Sequence, residues 1–182
     1  MEWVIIIGII LLVYWALTGG IKPRGGPCFY AGTMVLTPTG PRPIEEIKTG
    51  DSIMCCDPFS KKFTVGQVTK VMNNPDDQRP TKAVRVTFED GGTLIPTALE
   101  NLLNQNEWRR TGTLKCGDVI AEQRVIEAQE MIIPSCDAFD FFVAPHPNYV
   151  VLTTTNVPIV GHDHSSIKWW GIRPERVPRK AA

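Results

Sequence analysis

The sequence lacks several features that identify common classes of protein. It has no charge excess, because 19 Lys and Arg balance 19 Asp and Glu among 182 residues, so composition gives no reason to expect a nucleic-acid partner. Only three histidines are present, and neither a Cys-x-x-Cys pair nor a Cys–His spacing typical of metal sites occurs, so no metal or cofactor is predicted. Long helical patterns are also rare. The 15 prolines and 15 glycines therefore favour a turn-rich, all-β domain with a single core.

The five cysteines do not form an even set, and two of them are adjacent in the sequence. An odd number with a vicinal pair argues against a disulfide framework and favours a reducing compartment. Apart from Cys28, we expect these thiols to pack as small hydrophobic side chains. They are Cys55, Cys56, Cys116 and Cys136.

One long apolar run lies near the N-terminus, where every residue from 3 to 17 is apolar or glycine. Extension to residue 21 brings the run to the length that spans a hydrocarbon core of about 30 Å, so residues 1–21 are predicted to be a transmembrane anchor. A cleaved signal peptide is the alternative, but the early charge is Glu2 rather than a positive group. Lys22 and Arg24 follow the run, which predicts a single-pass protein whose remaining chain is cytoplasmic.

The rest of the chain divides by composition. A short Gly/Pro linker over residues 22–27 leads into the all-β domain, predicted over 28–163. Residues 164–182 form a basic, Trp-containing tail. This composition suits an anionic membrane surface, but an ordinary disordered tail is the default interpretation.

Alternating and β-branched segments predict the strands of this domain. Two strands are expected within 33–56 and a third over 63–72. Residues 83–88 alternate apolar and polar side chains, and 93–95 return as the hairpin partner after a Glu-Asp-Gly-Gly turn.

Cys28 opens an apolar stretch that reads Cys-Phe-Tyr-Ala-Gly-Thr-Met-Val-Leu-Thr, followed by Ile-Lys-Thr-Gly-Asp-Ser-Ile over residues 47–53. In isolation, such a cysteine reads as a small buried hydrophobe. The two blocks together resemble the opening of the Hint domain, the superfamily of inteins, bacterial intein-like domains, pretoxin-type modules and the autoprocessing part of hedgehog proteins. The resemblance implies that Cys28 is the first residue of a self-processing module.

The block over residues 47–53 recurs as Leu-Lys-Cys-Gly-Asp-Val-Ile over 114–120. A turn entering a strand, used twice in one chain, indicates two similar β-units. The resemblance implies the corresponding fold, a flattened all-β horseshoe with pseudo-two-fold symmetry.

A second block resembles the family pattern Gly-x-x-Ile/Leu-x-x-Thr-x-x-His. Thr97 matches, but Glu100 stands where the family has histidine, a residue that hydrogen-bonds the scissile amide and protonates its nitrogen. Glu100 can take this role only if burial raises its pKa enough to hold a proton. The alternative interpretation is a solvated loop carboxylate.

The third block places Asp140 where Hint domains carry an aspartate that influences thiol ionisation; a turn carboxylate is the alternative. His146 lies near a frequent family histidine, but its flanking prolines favour a surface loop. His162 matches the penultimate histidine, and Asp163 replaces the usual terminal asparagine.

The resemblance implies that Cys28 attacks the Pro27 carbonyl in an N-to-S acyl shift. The chain is then its own substrate, and the thioester gives N-terminal cleavage rather than full splicing, with Cys28, Thr97, Glu100, Asp140, His162 and Asp163 as the catalytic set. The departures at Glu100, Asp163 and His164 leave an alternative open. The domain is then a non-catalytic Hint fold that serves as a membrane-tethered structural or binding module.

Overall fold

The computed structural model describes residues 26–57, 59–73, 75, 79–105 and 107–163. The predicted anchor at 1–21, most of the linker and the basic tail at 164–182 lie outside the described residues. Within the described ranges, no helix combines the length and the apolar character needed to cross a bilayer.

The described chain is all-β, and its helical elements are single 3₁₀ turns at Ile44–Glu46, Thr111–Thr113 and Ser135–Asp137. Its strands are β1 Phe29–Tyr30, β2 Met34–Thr37, β3 Gly40–Pro43, β4 Ser52–Cys56, β5 Phe63–Met72, β6 Pro80–Phe88, β7 Thr93–Leu94, β8 Asn101–Asn104, β9 Glu107–Arg110, β10 Val119–Ile120, β11 Gln123–Pro134, β12 Ala138–Ala144, β13 Asn148–Leu152 and β14 Pro158–His162.

Most of the strand predictions are confirmed. β5 has the predicted bounds, β6 contains 83–88, and β7 pairs with β6 as its hairpin partner. The prediction of two strands within 33–56 is wrong, because this region holds three: β2, β3 and β4. Pro38 lies in the turn of the β2–β3 hairpin, and Pro41 and Pro43 lie within β3. A 3₁₀ turn at Ile44–Glu46 then separates β3 from β4, so residues 40–56 do not form one continuous strand.

The antiparallel strands form three sheets with the orders β1-β12-β5-β4, β10-β11-β6-β7 and β3-β2-β13-β14-β8-β9. The first two sheets exchange a long strand. β6 follows β5 in sequence but pairs with β11, whereas β12 follows β11 but pairs with β5. Each half of the chain therefore supplies a strand to the sheet of the other half, which brings the start of β1 against residues from both halves.

The repeated Gly-Asp segments adopt the same turn. The Lys48 N–H donates to the Asp51 carboxylate at 3.0 Å, and the Lys115 N–H donates to the Asp118 carboxylate at 2.8 Å. The glycine of each turn has a φ of +95°, a left-handed conformation that other residues rarely adopt. The predicted internal duplication is thus present as matched local structure.

The match extends upstream of the turns. The Ile44 N–H donates to the Thr33 carbonyl and the Thr111 N–H to the Glu100 carbonyl, both at 2.8 Å. The number of residues between Thr33 and Glu100 is the same as the number between the two Gly-Asp turns. Glu100 therefore occupies, in the second half, the position of Thr33 in the first half.

An aromatic cluster holds β1 against the centre of the domain. Phe29 and Tyr149 are fully buried and meet edge to face at 5.8 Å, and Phe141 lies 5.0 Å from the Tyr149 ring. Gly161 of β14 lies beside Phe29, and a Cβ at this glycine would be 2.6 Å from the ring. Only a glycine allows β14 to approach β1 this closely.

We expect Gly161→Ala to lower the free energy of unfolding by about 1–3 kcal/mol, because the added methyl group overpacks Phe29. Urea denaturation of the variant measures this loss. The variant Phe29→Leu removes the opposing ring, so the double variant should lose less than the sum of the two single losses. Strict additivity would contradict the steric explanation.

Candidate functional site

Cys28 lies immediately before β1, at the point where the two halves of the chain meet. β1 pairs with β12 through Phe29 and Phe139, and Phe29 also forms an isolated bridge with Pro96. These contacts fix the backbone that follows Cys28. Cys28 is partly exposed, whereas the preceding Pro27 is buried.

Thr97 contacts the backbone around the Pro27–Cys28 peptide bond in three ways. Its hydroxyl accepts the Cys28 N–H at 3.1 Å and donates to the Gly26 carbonyl at 2.9 Å. Its own N–H donates to the Cys28 carbonyl at 2.8 Å. Thr97 therefore orients the amide that precedes the Cys28 side chain.

Glu100 is fully buried, so its interpretation as a solvated loop carboxylate is wrong. Its Oε1 accepts the N–H groups of Asn101 and His162, each at 3.1 Å, whereas Oε2 has no hydrogen-bond partner among the described residues. Burial raises the pKa of Glu100 well above its ordinary value, and the nearby Asp140 charge raises it further. The carboxyl group is thus suited to hold a proton.

Asp140 is also fully buried and lies within β12, so its interpretation as a turn carboxylate is wrong. Its Oδ1 accepts the Phe141 N–H at 2.7 Å and the Tyr149 hydroxyl at 3.1 Å. Burial raises the pKa of Asp140 well above its ordinary value. These two hydrogen bonds lower the pKa of Asp140, whereas the charge of Asp163 raises it further.

His162 and Asp163 end the described chain beside these carboxyl groups. The His162 ring lies 4.5 Å from the Trp108 ring, and its Nδ1 lies 3.1 Å from the Asp163 carbonyl oxygen and 3.7 Å from its carboxylate. Asp163 is 1 % exposed, and its Oδ2 accepts the Val143 N–H at 3.0 Å. Backbone contacts therefore fix the ends of β12 and β14 to each other.

Burial raises the pKa of the Cys28 thiol well above its ordinary value, and the charges of Asp140 and then Glu100 raise it further. Ionisation is unfavourable because a buried thiolate loses its solvation and lies near two carboxyl groups whose ionised forms would repel it. The resting site therefore holds a protonated thiol.

The other histidine and cysteine residues lie elsewhere. His146 is a partly exposed residue of the β12–β13 loop. The four remaining cysteines are free thiols: Cys55 and Cys56 are buried, Cys136 is partly buried, and Cys116 is exposed, contrary to its predicted role in packing. In the part of the chain that the structure describes, no three His, Cys, Asp or Glu side chains are arranged to hold a metal ion.

Sequence reasoning missed the role of Tyr149. Its ring packs in the aromatic cluster and its hydroxyl binds Asp140, so it links the core to the site. A signal was present, because a tyrosine within the apolar β13 segment needs a polar partner for its hydroxyl once that strand is buried.

Comparison with known proteins finds a partial profile match and several solved structures with a similar fold. Residues 27–96 match the profile of a family described as Hint domain. Among solved structures, a bacterial intein-like domain from Clostridium thermocellum has a TM-score of 0.62 at 24% identity, covering 76% of this chain and 100% of that one. A DnaB intein from Synechocystis sp. PCC 6803 has a TM-score of 0.62 at 16% identity, covering 76% and 99%. No curated protein matches the sequence.

Proposed function

Since the chain carries a Hint-superfamily domain, we propose that it is a self-processing module that cleaves its own backbone before Cys28. The Cys28 sulfur attacks the Pro27 carbonyl carbon, the bond to the Cys28 nitrogen breaks, and the acyl group passes to sulfur as a thioester. The thiol proton ends on the freed amine. Water or a small thiol then takes the acyl group, and the domain is released with Cys28 at its N-terminus.

The hydrogen bond from the Cys28 N–H to the Thr97 hydroxyl carries this proposal. It joins a matched motif residue to the very nitrogen that must leave. Because the same hydroxyl also donates to Gly26, it holds the peptide on both sides of Pro27 in one orientation. Such positioning lowers the barrier by removing motions that a free peptide retains.

Glu100 supports the proposal as the proton donor to this nitrogen. A leaving amide nitrogen needs a general acid, and a buried carboxyl group with a raised pKa keeps its proton at a pH where an ordinary glutamate has lost it. Its Oε2, which has no partner among the described residues, is the atom available for this transfer. The protonated Cys28 thiol in turn supplies the proton that restores the acid.

The proposed reaction ends with N-terminal cleavage. Cyclisation of a terminal asparagine requires its side-chain amide nitrogen, and Asp163 has a carboxylate instead. This carboxylate also accepts the Val143 N–H, which holds it within the fold.

The proposal includes attachment to a membrane through residues 1–21, supported by the apolar run over 3–17. The domain would then face the cytoplasm, consistent with Lys22 and Arg24 after the run. Cleavage before Cys28 would separate the domain from its anchor.

Intact mass spectrometry of the full chain, bound to lipid vesicles and treated with dithiothreitol, tests the proposal. We expect the vesicle pellet to hold the uncleaved protein and the supernatant to accumulate a fragment that begins at Cys28. The Cys28→Ala variant should produce no fragment, because it has no nucleophile.

Cys116→Ala is the matched control, since it removes an exposed thiol outside the site, and it should cleave like the wild type. A wild-type chain that stays intact in thiol would refute the proposed cleavage. A soluble chain that cleaves would refute only its attachment to a membrane.

A non-catalytic Hint fold that serves as a binding or structural module is the second candidate. Two observations favour this second candidate. The Cys28 thiol is protonated rather than ionised, and position 100 holds a glutamate where the family pattern has a histidine. An intact wild type combined with a Glu100→His variant that begins to cleave would show that catalysis has been lost at position 100, which favours this second candidate.

A further inference from the structure

Tyr30 is a buried residue that the proposed reaction does not yet use. It lies in β1 and is 6 % exposed, and its hydroxyl has no hydrogen-bond partner among the described residues. Buried hydroxyl groups nearly always have a partner in native proteins. An unused hydroxyl group in a rigid strand therefore requires an explanation.

The side chain of Tyr30 shares its surroundings with Cys28. Cys28 immediately precedes β1 and Tyr30 ends it, and the two side chains belong to one small apolar cluster. The other members of this cluster are Ala83, Ala138, Ile95, Met131 and Ile133. Four of these five side chains are hydrocarbon, and Met131 offers only a weak thioether acceptor. A Cys28 thiolate would therefore be the strongest hydrogen-bond acceptor that this cluster presents to the phenol.

The titratable groups whose charges act on Cys28 do not otherwise favour its ionisation. They are Tyr30, Glu100, Asp140 and Tyr149. In the proposed reaction the Glu100 proton goes to the leaving nitrogen, and the Tyr149 hydroxyl is already donated to Asp140 at 3.1 Å. The Tyr30 hydroxyl is thus the donor of this set that neither the reaction nor another hydrogen bond within the described chain uses.

We propose that Tyr30 is a further catalytic residue, whose hydroxyl donates a hydrogen bond to the Cys28 sulfur as the thiolate forms. This inference rests on the proposed function, in which that sulfur attacks Pro27. The hydrogen bond stabilises the charge and exists only in the ionised state, which explains the unpartnered hydroxyl at rest.

Burial raises the pKa of the Tyr30 phenol well above its ordinary value, and the charges of Cys28 and then Asp137 raise it further. The phenol therefore keeps its proton at neutral pH and can act as a hydrogen-bond donor.

The test compares wild type with Tyr30→Phe, which keeps the ring and removes only the unpartnered hydroxyl. Iodoacetamide labelling of the full chain is followed from pH 6 to 11, and peptide mass spectrometry quantifies Cys28 in the fragment that still contains Pro27. We expect the midpoint of Cys28 labelling to rise by about one pH unit and cleavage to slow about tenfold, as for a lost hydrogen bond to a charged group. The melting temperature should be unchanged or higher.

Exposed Cys116 is the internal reference, and its labelling profile should be the same in both proteins. Cys28 profiles that superimpose would overturn the role of Tyr30. If the profiles differ but the wild type never cleaves, the hydrogen bond stands and only the proposed cleavage fails. If the wild type cleaves and Tyr30→Phe matches it in rate and labelling, only the role of Tyr30 fails.

Discussion

Glu100→Gln is expected to slow thiol-induced cleavage before Cys28 by about 10²–10⁴-fold, the usual contribution of a general acid. Glutamine has the same shape, and its amide oxygen can still accept the N–H groups of Asn101 and His162. It has no acidic proton to give to the leaving nitrogen. The change therefore removes one chemical step and leaves the surroundings in place, and intact mass spectrometry at timed intervals measures the rate.

Glu107→Gln is the matched control, because this glutamate is 76 % exposed and lies in β9, away from Cys28. Its cleavage rate should equal that of the wild type. A Glu100→Gln variant that cleaves as fast as the wild type would show that Glu100 supplies no proton, and the general acid would have to be sought elsewhere in the site.

The elements that sequence predicted well are those whose signal is local. β5 is an unbroken segment rich in β-branched residues, and its bounds were predicted correctly. The duplicated turns were found because the left-handed glycine and the following aspartate leave a fixed pattern of residues. In each case, the residues that specify the structure are neighbours in the chain.

The placement of Glu100 could not be predicted in this way. In sequence it precedes Asn101 and reads as part of a polar loop, whereas its burial depends on strands far away along the chain. β14 approaches closely enough to bury it because Gly161 has no side chain, and the His162 N–H then binds its Oε1. Such non-local packing leaves no periodic signal near residue 100, so only the fold determines its pKa.

The same burial has a consequence for stability. Because the pKa of Glu100 is raised in the folded state, the folded protein binds this proton more tightly than the unfolded chain does. The resulting stabilisation is complete below the ordinary value of 4.5 and is lost as the pH rises through the folded pKa. Asp140 contributes in the same direction, starting from its ordinary value of 3.8.

We therefore expect Glu100→Gln to be more stable than the wild type at pH 8, because the wild type loses about 1.4 kcal/mol of stability for each pH unit above 4.5 over which only its folded state holds the proton. At pH 4.5 the two proteins should differ little, because the wild-type carboxyl group is then protonated when folded. Urea denaturation at several pH values measures the difference, which should grow with pH. Glu107→Gln should follow the wild type throughout. If Glu100→Gln follows it as well, or unfolds more easily at pH 8, then Glu100 is not held protonated in the fold. A variant that gains stability while losing cleavage would instead indicate that the domain gives up folding energy to keep an acid beside Cys28.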